Sequence, residues 1–95
     1  MATNTTSKKF NTFLSRPLQD CELNDVPGVG QITMLRLLQN DMDTPEKLMG
    51  VYLLNTRDTE KMQRWLISHC GLRMQEARKI AEALDRKAHS QMMCC

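Results

Sequence analysis

The sequence predicts an all-α fold: a compact bundle of five or six short helices. Two observations carry that expectation. No stretch alternates β-branched and polar residues, and no Asn-Gly or Asp-Gly pair offers a hairpin turn between strands. Apolar residues instead recur at helical spacing between recognisable start and stop signals. With 95 residues there is room for one small domain. Aromatic residues make up only 4% while methionine occurs eight times, so the core is built from Leu, Met, Val and Ile.

Each element has a local reason. Thr6 or Ser7 can cap a first helix that carries Phe10, Phe13 and Leu14 on one face. It stops at Arg16-Pro17, because proline disfavours the helical conformation in the residue before it. A brief helical turn over Glu22–Asp25 leads to Val26-Pro27-Gly28-Val29-Gly30. From Gln31 a second helix carries Ile32, Leu35 and Leu38, flanked by Met34 and Leu37, and ends near Asn40. Asp43-Thr44-Pro45-Glu46 then supplies a cap, a proline in the first turn and an acid at the positive end of the helix dipole. The helix it opens, Leu48–Leu54, is apolar all round. In a small domain that favours coverage by a second subunit over a wholly internal helix, and Gly50 suits close approach of another backbone. The expected dimer contact is therefore Leu48, Met49, Gly50, Tyr52, Leu53 and Leu54. A fourth helix starts at Asp58 and turns Met62, Trp65, Leu66 and His69 or Cys70 inward, with Gly71 as its left-handed stop. The last, from about Met74 to Ala88, sets Ala77, Ile80, Ala81, Leu84 and Ala88 on one face. Arg73, Arg78, Lys79, Arg86 and Lys87 are expected elsewhere. The expected layout is a flexible segment 1–6, one domain over 7–89 and a flexible tail 90–95.

Composition excludes several function classes. No apolar run approaches the roughly 20 residues of a membrane span, and the polar N-terminus has no secretory apolar region. The four cysteines, at 21, 70, 94 and 95, are then read as thiols of a reducing compartment. Zinc-site spacing is absent, and His69 beside Cys70 is better read as a helix-surface imidazole next to a partly buried thiol. Cys94-Cys95 is not a CaaX box and reads as an oxidation-prone tail. No metal, cofactor or catalytic residue is expected. Net charge is +2 but uneven. Residues 1–19 carry three bases and no acid, residues 20–60 three bases and eight acids, and residues 61–95 seven bases and three acids. That distribution can present a positive face to phosphate, although on charge alone plain solvated helix faces are the favoured reading.

One motif carries a mechanism. Leu23-Asn24-Asp25-Val26-Pro27-Gly28-Val29-Gly30-Gln31-Ile32 has the helix-hairpin-helix pattern. Its glycines permit positive φ and close approach of a ligand, Val29 pins the turn in the core, and free N–H groups open the next helix. Such an N-terminus suits a phosphate oxygen and reads no bases. The alternative is a merely tight connection.

Phe13, Pro17, Gly28, Gly30, Leu37, Gly50, Tyr52-Leu53-Leu54, Asp58, Trp65-Leu66, Cys70-Gly71 and Arg78 fall in the order and spacing of barrier-to-autointegration factor, without a gap from about Thr5 to Leu84. The chain resembles that family over most of its length. The resemblance implies an all-helical dimer that binds double-stranded DNA without sequence preference, one duplex per protomer, and so bridges DNA. It also implies LEM-domain proteins of the inner nuclear envelope, lamin and histones as partners, with residence in nucleus and cytoplasm. Carried over by position, the DNA contacts are Lys9, Gly28, Val29, Gly30, Ile32, Thr33, Gln75 and Arg78. Thr5, Thr6 and Ser7 match a cluster whose phosphorylation releases DNA.

The departures are specific. Gln75 replaces a family lysine, Glu76 a neutral amide, and Thr56-Arg57 a lysine-rich step. Asp85–Cys95 lacks the family's aromatic C-terminus. The chain reads as a diverged paralogue. A second expectation therefore stands beside DNA bridging: a protein-interaction module that binds DNA weakly and heterodimerises with a conventional family member. An enzyme, such as a glycosylase, is set aside because so short a chain has little room for a catalytic pocket.

Overall fold

The computed structural model describes residues 5–92, with side chains from Lys8 to Ser90. Among the described residues every regular element is helical: α1 (Thr5–Ser15), α2 (Gln31–Gln39), α3 (Pro45–Leu54), α4 (Thr59–Cys70) and α5 (Met74–Met92). Two single 3-10 turns, Leu18–Asp20 and Leu23–Asp25, link α1 to the hairpin before α2. The all-helical expectation holds. The brief helical turn expected before the hairpin is the 3-10 turn Leu23–Asp25. No helix among the described residues is long and apolar enough to cross a membrane.

The start and stop signals act as read. Thr44 Oγ1 accepts from the Lys47 N–H at 3.2 Å, with Pro45 in the first turn of α3. Asp58 Oδ1 accepts from the Glu60 and Lys61 N–H groups at 2.9 and 3.2 Å, opening α4. Gly71 closes α4 at φ +71°, the left-handed conformation that a glycine adopts without a Cβ clash.

The axis of the molecule is α5. Its largest contact is with α4, and α1 and α3 also pack on it. Ala77, Ile80, Ala81, Leu84 and Ala88 are all fully buried, as the spacing predicts. Helix α5 runs past Ala88 to Met92, and α1 begins at Thr5.

Three expectations about faces are corrected. Lys87, expected on the surface, is fully buried. Its ammonium donates to the carbonyls of Phe13 and Arg16 and lies 4.7 Å from the Phe13 ring centroid. A long aliphatic stem lets the residue occupy the core while its head closes the C-terminus of α1, where carbonyls lack helical partners. Burial pushes its pKa below the usual lysine value. On α2 the buried pair is Thr33 and Leu37, while Ile32, Leu35 and Leu38 are 61%, 57% and 44% exposed. The helix carries more apolar residues than one face holds, and docking selected the i, i+4 pair beside them. In α3, Leu48, Met49 and Tyr52 belong to the protomer's own core; Gly50, Leu53 and Leu54 face outward. The inward face expected of α4 is found: Met62, Leu66 and, of the His69–Cys70 pair, Cys70 are buried, while exposed His69 stacks on half-buried Trp65, ring centroids 4.9 Å apart.

Tyr52 ties α3 to α5. Its hydroxyl donates to Asp85 Oδ1 at 2.6 Å, and the Arg57 carbonyl lies 3.1 Å from the same oxygen. Burial first, and then the Asp85 carboxylate, raise the phenol pKa well above its ordinary value. A raised folded-state pKa means stability that is intact below about pH 10 and is lost as the pH climbs beyond it. Tyr52 is the only tyrosine, so its phenolate absorbance reads the transition directly. The expected result is ionisation coincident with alkaline unfolding, well above the titration of free tyrosine; ionisation at the free value in the native chain would contradict the buried bond.

Candidate nucleic-acid interface

The hairpin Val26–Gly30 joins the 3-10 turn to α2 and rests against the start of α5. Val26, Pro27 and Val29 are buried, and the Val29 N–H donates to the Val26 carbonyl at 3.1 Å, which sets the turn. The two glycines serve different ends. Gly28 sits at φ +95°, and a Cβ there would come within 2.8 Å of Lys79 Cβ and 3.1 Å of the Glu76 carbonyl. It is fixed by turn conformation and by packing on α5. Gly30 has φ −98°, ordinary extended backbone, and a Cβ there would meet nothing within 4 Å. Of the two glycines that could take positive φ, only Gly28 does so.

Gly30 is the N-cap of α2 and has no side chain to cap it. The first N–H groups of α2 therefore lack an intrahelical acceptor and stand at the open end of the helix dipole. The N-terminus of α5 comes to the same place. Gly30, Gln31, Ile32 and Thr33 of α2 line a concavity of about 310 Å³ with Arg73 and Glu76 at the start of α5, together with Arg36. A neighbouring concavity of about 300 Å³ shares Gly28, Gly30 and Glu76 with it and is completed by Lys9, Gln75 and Lys79. Lys9 reaches it from α1, its Nζ donating to the Val29 carbonyl at 3.5 Å. Two positive helix ends and four cationic side chains thus surround one cradle, with a single acid among them.

That acid is Glu76. Its Oε1 is buried and has no hydrogen-bond partner. An unpaired carboxylate oxygen is costly to bury, and here it lies among groups otherwise arranged for an anion.

The structure thus brings Lys9, Gly28, Val29, Gly30, Ile32, Thr33 and Gln75 together from four parts of the chain. Arg78 stays apart, on the exposed face of α5, and lines neither concavity. Thr33 lines the cradle but is largely buried, so it offers little side-chain surface there. Arg36, Arg73 and Lys79 were not singled out for the site by sequence. Lys79 lies one turn along α5 from Gln75, a spacing that was available. Arg36 and Arg73 join only because α2 packs on α4 beside the link to α5, where Arg36 donates to the Gly71 carbonyl at 3.2 Å. The side chains of Thr5, Thr6 and Ser7, expected to be phosphorylated, and the residues Cys94 and Cys95 lie outside the described portion.

The family model described as Barrier to autointegration factor matches residues 4–91 of the chain. Among individual proteins, barrier-to-autointegration factor of Mus musculus is 26% identical over 74 residues, covering 78% of this chain and 83% of its own length. The Danio rerio protein of that name is 27% identical over 66 residues, 70% of this chain and 73% of its own. Barrier-to-autointegration factor 1 of Caenorhabditis elegans is 28% identical over 83 residues, 87% of this chain and 93% of its own. The match spans nearly the whole fold, from the start of α1 to the end of α5, and identity stays low throughout. The chain is a diverged member of the barrier-to-autointegration factor family.

Proposed function

We propose that the protein binds double-stranded DNA through its phosphate backbone, without sequence preference, and bridges duplexes as a dimer with one cradle per protomer. The observation that carries this reading is the uncapped N-terminus of α2, opened by Gly30 and flanked by Lys9, Lys79, Arg36 and Arg73. Backbone N–H groups and flexible cations recognise phosphate and carry no base information. Lys9, the hairpin, Gln75 and the nearby cations are arranged as a clamp on the phosphate backbone. Family membership supports DNA as the ligand and the nucleus as its setting; LEM-domain proteins, lamin and histones are the partners proposed with it. Phosphate on Thr6 or Ser7 would place about −1.5 to −2 charge beside Lys8 and Lys9 and oppose binding.

The test is a competition titration. Random duplexes of equal length should displace a labelled duplex equally. Log affinity should fall against log salt with a slope near −3 to −4 if each protomer neutralises roughly 3–4 phosphates. A slope near zero, or a marked preference for one sequence, would contradict the reading.

Dimerisation is proposed through the outward face of α3. Leu54 is 84% exposed and Leu53 37%, with Gly50 open beside them. Because a Cβ at Gly50 meets nothing within the protomer, Gly50→Glu should leave the monomer folded and place a charge in the contact. Sedimentation should give a dimer for the wild type and a folded monomer for the variant. A wild type that is monomeric at tens of micromolar would remove the bridging part of the proposal.

A specific observation favours the second reading, a partner module with weak DNA affinity. Gln75 contributes no charge and Glu76 contributes the wrong one at the centre of the cradle.

A further inference from the structure

Residues 20–60 hold eight of the chain's eleven acids, and the DNA reading leaves them unused. Three of them line a second concavity. Between the 3-10 turns, the outer half of α2 and the start of α3 runs a groove of about 410 Å³. Its apolar lining comes from Cys21, Leu23, Met34, Leu38 and Pro45, and Leu38 is 44% exposed. Its charged lining is Glu22, Asp43 and Glu46, with no lysine or arginine. Asp43 is paired with Lys47 at 2.8 Å on the outer side of α3. The groove shares no residue with either part of the phosphate cradle. One face of the protein is thus cationic around open helix ends, and another is apolar with a carboxylate rim.

We infer that this groove docks a basic peptide segment of a protein partner, one carrying an aliphatic anchor flanked by Lys or Arg. Charge complementarity selects that occupant. Nucleic acid is repelled by the rim. A symmetric contact with a second copy would set rim against rim, because a two-fold interface pairs a patch with itself. The floor takes roughly one or two aliphatic side chains, which is the scale of an anchor pocket rather than of a whole interface. Since the groove and the cradle are separate, peptide and duplex can be held together, and the inference stands whether or not the DNA reading does.

The test uses the full chain, labelled with nitrogen-15, and a short synthetic peptide with two leucines among lysines and arginines. Titration should shift the amide signals of Leu23, Met34, Leu38 and Thr44 saturably. A peptide of equal charge with serine in place of leucine should bind at least about tenfold more weakly. The paired substitution Leu38→Lys and Glu46→Lys lies at exposed positions; it should weaken the leucine peptide at least about tenfold with unchanged circular dichroism. Three results would overturn the inference: equal binding of the serine peptide, shifts centred outside the groove, or the same shifts produced by raising protein concentration without peptide. The last would make the groove a contact between copies.

Discussion

Gly30→Glu is expected to abolish duplex binding while the chain stays folded. At φ −98° any residue fits the backbone, and the space around a Cβ is empty, so the substitution strains nothing. Its carboxylate would sit at the N-cap of α2, take up the N–H groups meant for phosphate and repel what remains. Charge-assisted hydrogen bonds are worth about 1.5–3 kcal/mol each, so loss of one or two corresponds to about tenfold at the least and more than a thousandfold at the most, before charge repulsion is added. Gly30→Ala, which neither caps nor charges the site, should cost only a few-fold. Glu76→Gln should act in the opposite direction and tighten binding, because it removes the one negative charge in the cradle. Gly28 is unsuitable for this comparison: its φ and the 2.8 Å approach to Lys79 Cβ make substitution there a folding defect. Anisotropy titration at low salt, with circular dichroism on each variant, reads all three. Equal binding by wild type and Gly30→Glu would move the function to the partner-module reading.

Lys87→Met is expected to destabilise the fold by about 2–4 kcal/mol, because two carbonyls lose their donor at roughly 1–3 kcal/mol each while relief of the ammonium's desolvation offsets part of the loss. Methionine keeps the length and apolar body of the side chain but leaves the Phe13 and Arg16 carbonyls without their donor. It also removes the cation facing the Phe13 ring and the positive charge at the C-terminus of α1. A domain of this size has only about 5–15 kcal/mol in total. Thermal midpoint should fall by roughly 10 °C or more. Helix α1 also carries Lys9, so duplex affinity should drop with it at temperatures where the rest of the fold survives. A midpoint within a few degrees of wild type would show that the lysine contributes no net stability.

Much of the fold is legible because helix ends are local. Thr44-Pro45, Asp58 and Gly71 set α3 and α4 through contacts within a turn of themselves, and these matched. Faces are less legible, because several solutions bury similar area. In α2 the sequence offers five apolar residues among nine, and only docking selects Leu37 with Thr33 over Ile32, Leu35 and Leu38. In α3 an all-round apolar surface is divided between the core and the outside, with Tyr52 drawn inward by Asp85, 33 residues away. Lys87 is the plainest failure of a local rule. A lysine reads as surface, and only the approach of α1's last carbonyls gives its ammonium a place inside. The cradle divides similarly. The Gly-Val-Gly turn and Lys9 were visible through pattern and resemblance, whereas the separate duties of Gly28 and Gly30, and the inclusion of Arg36 and Arg73, follow from how the hairpin rests on α5 and α2 packs on α4.

The most direct measurement of the central claim is an amide shift map of the nitrogen-15 chain titrated with a short random-sequence duplex at low and at moderate salt. Shifts should concentrate at Lys9, Gly28–Thr33 and Arg73–Glu76, spare the groove at Leu23 and Leu38, and shrink together as salt rises. A duplex that leaves the Gly28–Thr33 signals unmoved, or that shifts another face more strongly, would contradict the assignment of the hairpin as the DNA site.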